Sequence, residues 1–539
     1  MSSWAAYEPL GQHPNSSSQR SNGPLHLLIT HVPPLLAAAL CVVALVFSVL
    51  PPTGPIALGE ADPWLKAIKP LPPSARNTLA LSESVCAKEF PLLYPQLEEL
   101  KQYWKLRGGI SKHDVDQLER AANGQNNWGW ARVIIRDGKV YIRSLRKGVD
   151  TRLTAILMLL HDAVSADPES STSGTTGEPL PPIDLIMSVG DKEGFPGAES
   201  GPAWVLAKLL ADQKTEGNWL SPDFGFAGWP EARVPSYAEV VDLSRQVEQK
   251  VGGWAGKDDR AFWRGFVNWY PIRHDLLNRT KAASALPANH PDAWADVFQT
   301  TFGAQNSAEY KPLVPLQDHC SRKYLIHSEG NSYSGRSKYL FSCHSVTVAH
   351  KMEWTQHFHP ALVSDPLSPA QNYVQVTGPL FEGLEEAIRA MWEAEGDPKA
   401  KGVEGWWHKA SEKNMVGWLP PEKIADNARD SLRDRYLTPA ATACYYRAAL
   451  RAYASVQNHS TWSPTGPFPK PGNGVPPLPN ATNVDVPNKV GDSGGVGDIT
   501  WASWTLTRGT AEGDRGKESD WPPPEAAVVG TGKTPVLRH

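Results

Sequence analysis

The stretch KYLIHSEGNSYSGRSKYLFSCHSVTVAH, Lys323 to His350, has the residue types of an anion site. Small residues from Gly330 to Gly335 let main-chain N–H groups approach a phosphate closely. A helix opening at Arg336 adds partial positive charge at its N-terminus. Arg336 brings a planar donor fork that suits a diphosphate, and within the turn Gly330, Asn331, Ser332 and Ser334 are the candidate contacts. Two further cations stand at strand–helix junctions of the same half of the chain. Arg264, followed by Gly265, closes a strand, and Arg273 opens the next helix. The plainer reading of each arginine is a surface ion pair of little energetic worth. Asp191 directly follows the apolar run IDLIMSV, Ile183 to Val189, a position that faces the ligand edge of an α/β sheet. Its carboxylate there could serve as a general base. A loop-capping aspartate is the alternative.

Other groups carry less. Asp114-Val115-Asp116 matches a D-x-D metal–nucleotide pattern, but acids at the start of a helix favour its dipole. Asp318-His319-Cys320 reads as a turn into a strand. His357 and His359 lack the third ligand of a zinc site.

The elements that must position these residues alternate as helix, apolar strand and loop. Ser84 to Leu106 has helical periodicity, and Ser111 with Asp114 forms a capping-box pattern. ARVIIRDGKVYIRSL reads as a hairpin turning at Asp137–Gly138. Asp150 caps a predicted helix, Thr151 to Val164, and another helix is expected over Ala203 to Asp212. Near 251–260 the pattern restarts. The spacing predicts a strand and turn in RAFWRGFVNW, a helix in IRHDLLNRTKAA, a strand at Tyr373 to Val376, and helices over Leu380–Glu395, Ile424–Tyr436 and Pro439–Gln457. This predicts two successive α/β domains, an N-terminal one over 84–250 and a C-terminal one over 251–457.

Outside them, 1–24 is a polar tail, 51–83 a Pro-rich stem and 458–539 a Pro/Gly-rich tail expected to be disordered. Residues 25–50 carry no formal charge and are long enough to cross a bilayer core, which takes about 20 apolar residues. A signal anchor with a cytosolic N-terminus fits better than a cleaved signal peptide. The polar lead is long, only Arg20 is basic in it, and no clear small-x-small cleavage site stands after Leu50, where Pro51 and Pro52 follow. On that topology Cys86, Cys320, Cys343 and Cys444 are lumenal and can form up to two disulfides, with three pairings open. Sequons at Asn278, Asn458 and Asn480 fit a secretory lumen. A net charge of -4 over 539 residues leaves no polybasic footprint for nucleic acid.

The elements VIIRDGKVYIRS, IDLIMSVGDKEGFP, SPDFGFAGWPE, FWRGFVNWYPIRHDLL, DHCSRKYLIHSEGNSYSGRSKYLFSCHSV, EWTQHFHPAL, NYVQV and TACYYRAAL run in this order from about residue 125 to 455. Together they resemble the capsule-associated glycosyltransferases, glycosyltransferase family 90, which include Rumi-type protein O-glucosyltransferases and fungal xylosyltransferases. The resemblance implies a GT-B arrangement, two Rossmann-like domains facing across a cleft, with the N-terminal domain (84–250) on the acceptor side and the C-terminal domain (251–457) binding the nucleotide-sugar; the segment at 25–50 adds an N-terminal transmembrane helix. It implies an inverting hexosyl- or pentosyltransferase that uses UDP-glucose or UDP-xylose. Asp191 falls on the family's base. Arg264 and Gly265 fall on its W-R-G element, Arg273 on its following arginine, and Gly330 and Arg336 on its G-x(5)-R element. Ser328–Glu329 and His344 depart from the usual pattern. With arginines on the leaving group, no divalent metal is expected.

The acceptor, a glycan, glycolipid or protein hydroxyl, stays open. The long stem and the lack of a terminal retention signal favour xylosylation of a glycan or glycolipid by a single-pass type II enzyme of the Golgi or endoplasmic reticulum membrane. Protein O-glucosylation of a folded extracellular module, or a non-catalytic glycan-binding or scaffold protein on the same fold, are the alternatives.

Overall fold

The structure, a computed structural model, describes residues 68–124, 129–146, 151–170, 178–192, 201–211, 215–300, 310–400, 405–417, 419–458 and 499–500. The expected cytosolic tail, the anchor at 25–50, the first part of the stem and most of the final tail lie outside these residues. Among the described residues no helix is long and apolar enough to cross a membrane. The described residues form one compact unit.

The fold is mixed α/β. The first sheet uses β1 (Trp130–Arg136), β2 (Lys139–Arg146), β3 (Ile183–Ser188), β4 (Trp204–Val205) and β6 (Trp219–Leu220), while β5 (Lys208–Leu209) stands apart. The predicted hairpin forms β1 and β2. Asp137 and Gly138 take φ values of 51° and 66°, as a tight turn matched to strand twist requires. β1 pairs antiparallel with both β2 and β3, whereas β3, β4 and β6 run parallel. Their carboxyl ends therefore share one edge, and Asp191 leaves from it.

The second sheet is wholly parallel. It uses β7 (Asp258–Gly265), β8 (Ala295–Gln299), β9 (Arg322–His327), β10 (Val346–Ala349) and β12 (Val374–Gln375), in the order β12-β10-β9-β7-β8. Parallel strands covered on both faces read as unbroken apolar runs, as in β10, buried at every position. A short strand β11 (Trp354–Thr355) returns from this half to pair with β5.

Several elements differ from expectation. Where a helix was expected over Ala203–Asp212, the described residues form β4 and β5: Trp204 of β4 stacks on Trp219 at 5.9 Å and on Tyr446 at 6.5 Å, and β5 pairs with β11. Flat aromatic stacking across neighbouring strands outweighs local helix propensity. Asp150 lies outside the described residues; helix Arg152–Ser165 begins after Thr151, whose N–H donates to Glu231. The later stem is not free chain: Leu71 is buried, and its N–H donates to the Asp434 carbonyl. In the final tail, Ile499–Thr500 pairs antiparallel with β2.

The last long helix, Pro439–Ala454, packs back on the first half, where Arg447 donates to the Ala163 carbonyl. Disulfide Cys86–Cys444 fastens it there, and Cys320–Cys343 closes a short loop in the second half. The capping box of Ser111 and Asp114 is present. Asp116 pairs with Lys112 and Arg132, so the D-x-D pattern is structural. Arg132, buried, also grips Asp184 through Nε and Nη2 at 2.8 and 2.6 Å.

Candidate active site

Gly265 ends β7, and its carbonyl neighbours position the two cations. Arg336 donates from Nη1 to the Arg264 carbonyl. Arg273, in the first turn of helix Pro271–Ser284, donates from Nη1 to the Phe266 carbonyl at 2.6 Å and from Nε to the Glu329 carbonyl at 3.0 Å. Both predicted glycines have a spatial reason. A Cβ on Gly265 would lie 2.7 Å from the Trp263 ring and 3.0 Å from Arg336 Nη2, and one on Gly330 would lie 2.5 Å from Arg273 Nη2. Each glycine leaves room for a guanidinium to lie flat on the main chain.

Neither arginine pairs with a carboxylate among the described residues. Burial lowers the pKa of Arg336 first, and the charge of Arg273 adds to it; burial likewise lowers Arg273. Two like charges, part-buried and held only by neutral carbonyls, are costly to the empty protein. A dianion between them relieves that cost.

Arg264 differs. Its guanidinium is buried, donates to Asp296 Oδ1 at 2.6 Å and to the Asp296 carbonyl at 2.7 Å, and lies over the Phe262 ring at 4.5 Å. It braces β7 against β8. Its carbonyl holds Arg336, while its own guanidinium is engaged by Asp296.

The turn after β9 joins the two halves. Asp191 lies against it: the Ser332 hydroxyl donates to the Asp191 carbonyl, and Asn331 Nδ2 stands 3.5 Å from Asp191 Oδ2. The Asp191 carboxylate, half exposed, pairs through Oδ1 with Arg152 Nη1 at 2.7 Å. Arg152 sits 4.7 Å from the Phe224 ring centre and 5.4 Å from that of Trp229. The structure thus brings Asp191, Asn331, Ser332, Gly330 and Arg273 into one contact chain. Ser334 is buried, and its carbonyl accepts from Ser337.

The helix opened by Arg336 is only Ser337–Leu340, a single turn. A helix this short adds little dipole, so the positive charge of the site comes from the guanidiniums.

A sequence profile of glycosyl transferase family 90 matches residues 82–406, more than half of the chain. The chain belongs to glycosyl transferase family 90. It is 24% identical over 344 residues to "Protein O-glucosyltransferase 2" of Danio rerio, a match covering 60% of this chain and 55% of that protein. It is 31% identical over 289 residues to an "O-glucosyltransferase rumi homolog" of Aedes aegypti, covering 51% and 62%. Against the "O-glucosyltransferase rumi homolog" of Anopheles gambiae it is 30% identical over 238 residues, covering 42% and 56%. The chain thus spans less than two thirds of the length of the curated relatives it matches.

In this family 90 member the sequence reading missed four residues. Arg152 opens a helix and looks like a surface cation. Lys338 is buried, donates to Asp223 Oδ1 at 2.8 Å and Oδ2 at 2.9 Å, and also holds the Gly335 carbonyl. Asp223 further accepts from Gln356, which takes the Ser337 hydroxyl. A lysine inside the otherwise compact run SKYLF was the available signal for this bond between the halves. Glu329 is the fourth. It is buried, its carboxylate accepts from the N–H groups of Glu353 and Trp354, and its carbonyl holds Arg273. Cys320 of the Asp-His-Cys triplet is in a disulfide, so it is no nucleophile. His357 packs against Phe226 and Tyr445 as part of the core.

Proposed function

We propose that the chain is an inverting glycosyltransferase of GT-B type, moving glucose or xylose from a UDP-sugar to an acceptor hydroxyl. The observation that supports this most is the contact chain itself. A carboxylate leaving the first sheet meets the turn after β9 of the second, that turn's Gly330 lies against Arg273, and neither Arg273 nor Arg336 at the end of β7 has an acidic partner among the described residues.

In this reading the diphosphate lies on Arg273 and Arg336, with the N–H groups of 331–335 around it. The acceptor oxygen attacks the anomeric carbon from the face opposite UDP. Its proton passes to Asp191, and the electron pair of the breaking C–O bond goes to the departing phosphate oxygen. Charge grows on UDP in the transition state, where preorganised guanidiniums act most strongly. Arg152 fixes the Asp191 carboxylate in direction. Because the arginines supply the positive charge, turnover is expected to survive chelation by EDTA.

The names of these relatives favour glucose and a protein acceptor over the glycan xylosylation expected from stem and tail. Two disulfides and the apolar segment at 25–50 support a lumenal catalytic part on a single-pass type II anchor, in the Golgi or endoplasmic reticulum. The test is hydrolysis or transfer by the purified chain over a panel of UDP-sugars. No consumption of any of them, with or without candidate acceptors, favours the non-catalytic scaffold and rejects the transferase.

A further inference from the structure

Two exposed apolar side chains stand on loops tied to the helix turn that carries Arg273 and have no role in the account above. Trp269 is 75% exposed and Leu380 42% exposed, whereas Trp130, Trp204, Trp219, Trp263 and Trp392 are fully buried. A single exposed apolar residue is ordinary. These two are unusual because left-handed backbone presents them. Asn268, which precedes Trp269, has φ 47°, and Leu380 itself has φ 54°. Asparagine takes this conformation readily, but for the bulky Leu380 it is a true outlier, and such conformations persist where the surroundings impose them, often at ligand clamps.

Both loops are tied to the same helix turn that carries Arg273. His274 Nε2 donates to the Asn268 carbonyl at 2.7 Å, and Asp275 Oδ2 accepts the Phe381 N–H at 3.1 Å. From Arg273 the rings run outward: its guanidinium lies 5.1 Å from the Tyr270 ring centre, and that ring lies 5.3 Å from Trp269. Direction follows from the sheet. Asp191 touches the turn after β9, whereas Trp269 follows β7, the next strand over. A donor with its sugar at Asp191 and its diphosphate on Arg273 and Arg336 points its nucleoside away from Asp191, toward the loop after β7.

We propose that Trp269 and Leu380 form a clamp for the nucleobase of the donor, Trp269 stacking on the flat base and Leu380 closing the opposite lip. This rests on the UDP-sugar reading and adds the residues that select a nucleoside over a bare diphosphate.

Calorimetry on the full chain with two probes, UDP and inorganic pyrophosphate, tests it. Trp269→Ala is expected to weaken UDP about 10- to 100-fold, the worth of one base stacked on an aromatic ring, and to leave pyrophosphate binding unchanged. Trp269→Phe should restore most of the UDP affinity. Leu380→Gly suits the left-handed backbone, so it should keep or raise the melting temperature while weakening UDP alone. If Trp269→Ala leaves UDP affinity intact, or weakens both probes equally, the clamp is overturned and the diphosphate site stands. If the unaltered chain binds no UDP, both fall.

Discussion

Arg273 and Arg336 hang from main-chain carbonyls only two residues apart, those of Phe266 and Arg264 at the end of β7. Gly265 between those carbonyls lets Arg336 lie close, and Gly330 does the same for Arg273. The arrangement concentrates charge that no carboxylate among the described residues neutralises. Arg336→Met should therefore raise the melting temperature of the ligand-free chain. It should also weaken UDP about 10- to 100-fold, as the loss of a charge-assisted bond does. Thermal shift with and without UDP reads both effects. A drop in ligand-free stability together with unchanged UDP affinity would place Arg336 in the scaffold.

Asp191 and Arg152 should separate binding from chemistry. Asp191→Asn keeps the shape and is expected to lower kcat about 10²- to 10⁴-fold, the usual worth of a general base, with UDP affinity retained. Arg152→Met leaves the carboxylate but removes the 2.7 Å bond that directs it. Its kcat should fall less than in Asp191→Asn, with KM for the donor little changed. Single-turnover and steady-state rates on the folded variants distinguish these outcomes, and near-normal turnover in Asp191→Asn removes it from the base role.

The residue pattern displayed the second half well and the first half less well. Parallel strands buried on both faces show as apolar runs, so β9 and β10 around GNSYSGR were visible. The Asp137–Gly138 turn was visible because its backbone demands those residue types. The two-residue strands β4 and β5 were not: they are too short for any period, and their partners, β6 for β4 and β11 for β5, lie beyond the reach of local pattern. The same limit applied to the site. Arg273 and Arg336 sit at junctions and could be named, but only space tells that Arg264 is committed to Asp296 while the other two are not. Lys338 and Asp223 are 115 residues apart, and nothing local marks them as partners.

That buried pair offers a third test. Lys338 and Asp223 are each 1% exposed at the side chain, and the ammonium also holds the Gly335 carbonyl in the anion turn. Removing one partner strands the other charge away from water. Lys338→Met alone should cost about 3–5 kcal/mol, whereas adding Asp223→Asn should return part of that loss. A double-mutant cycle from denaturant melts measures the coupling. Additive costs would mean that the two side chains do not act as a pair.

Glu329 gives the pH dependence. Burial, opposed by the Trp354 and Glu353 N–H bonds and reinforced by the Glu353 charge, raises its pKa from 4.5 to about 7. Across that interval the folded chain holds a proton that the unfolded chain has released. Stability from this group is therefore full below the unfolded value, falls as pH rises through the folded one, and then levels. The amount is about 3 kcal/mol for a carboxyl displaced this far. His350, whose Nε2 accepts the Glu329 N–H, is held down to about 4 by burial and contributes the opposite slope from about 4 to its ordinary 6.5. A difference measurement removes the histidine. Gln imitates the protonated acid and keeps both main-chain bonds, so the melting temperature of Glu329→Gln minus that of the unaltered chain should climb between about pH 5 and pH 8. A flat difference would mean that Glu329 is already ionised at pH 5, and that its two N–H bonds outweigh burial.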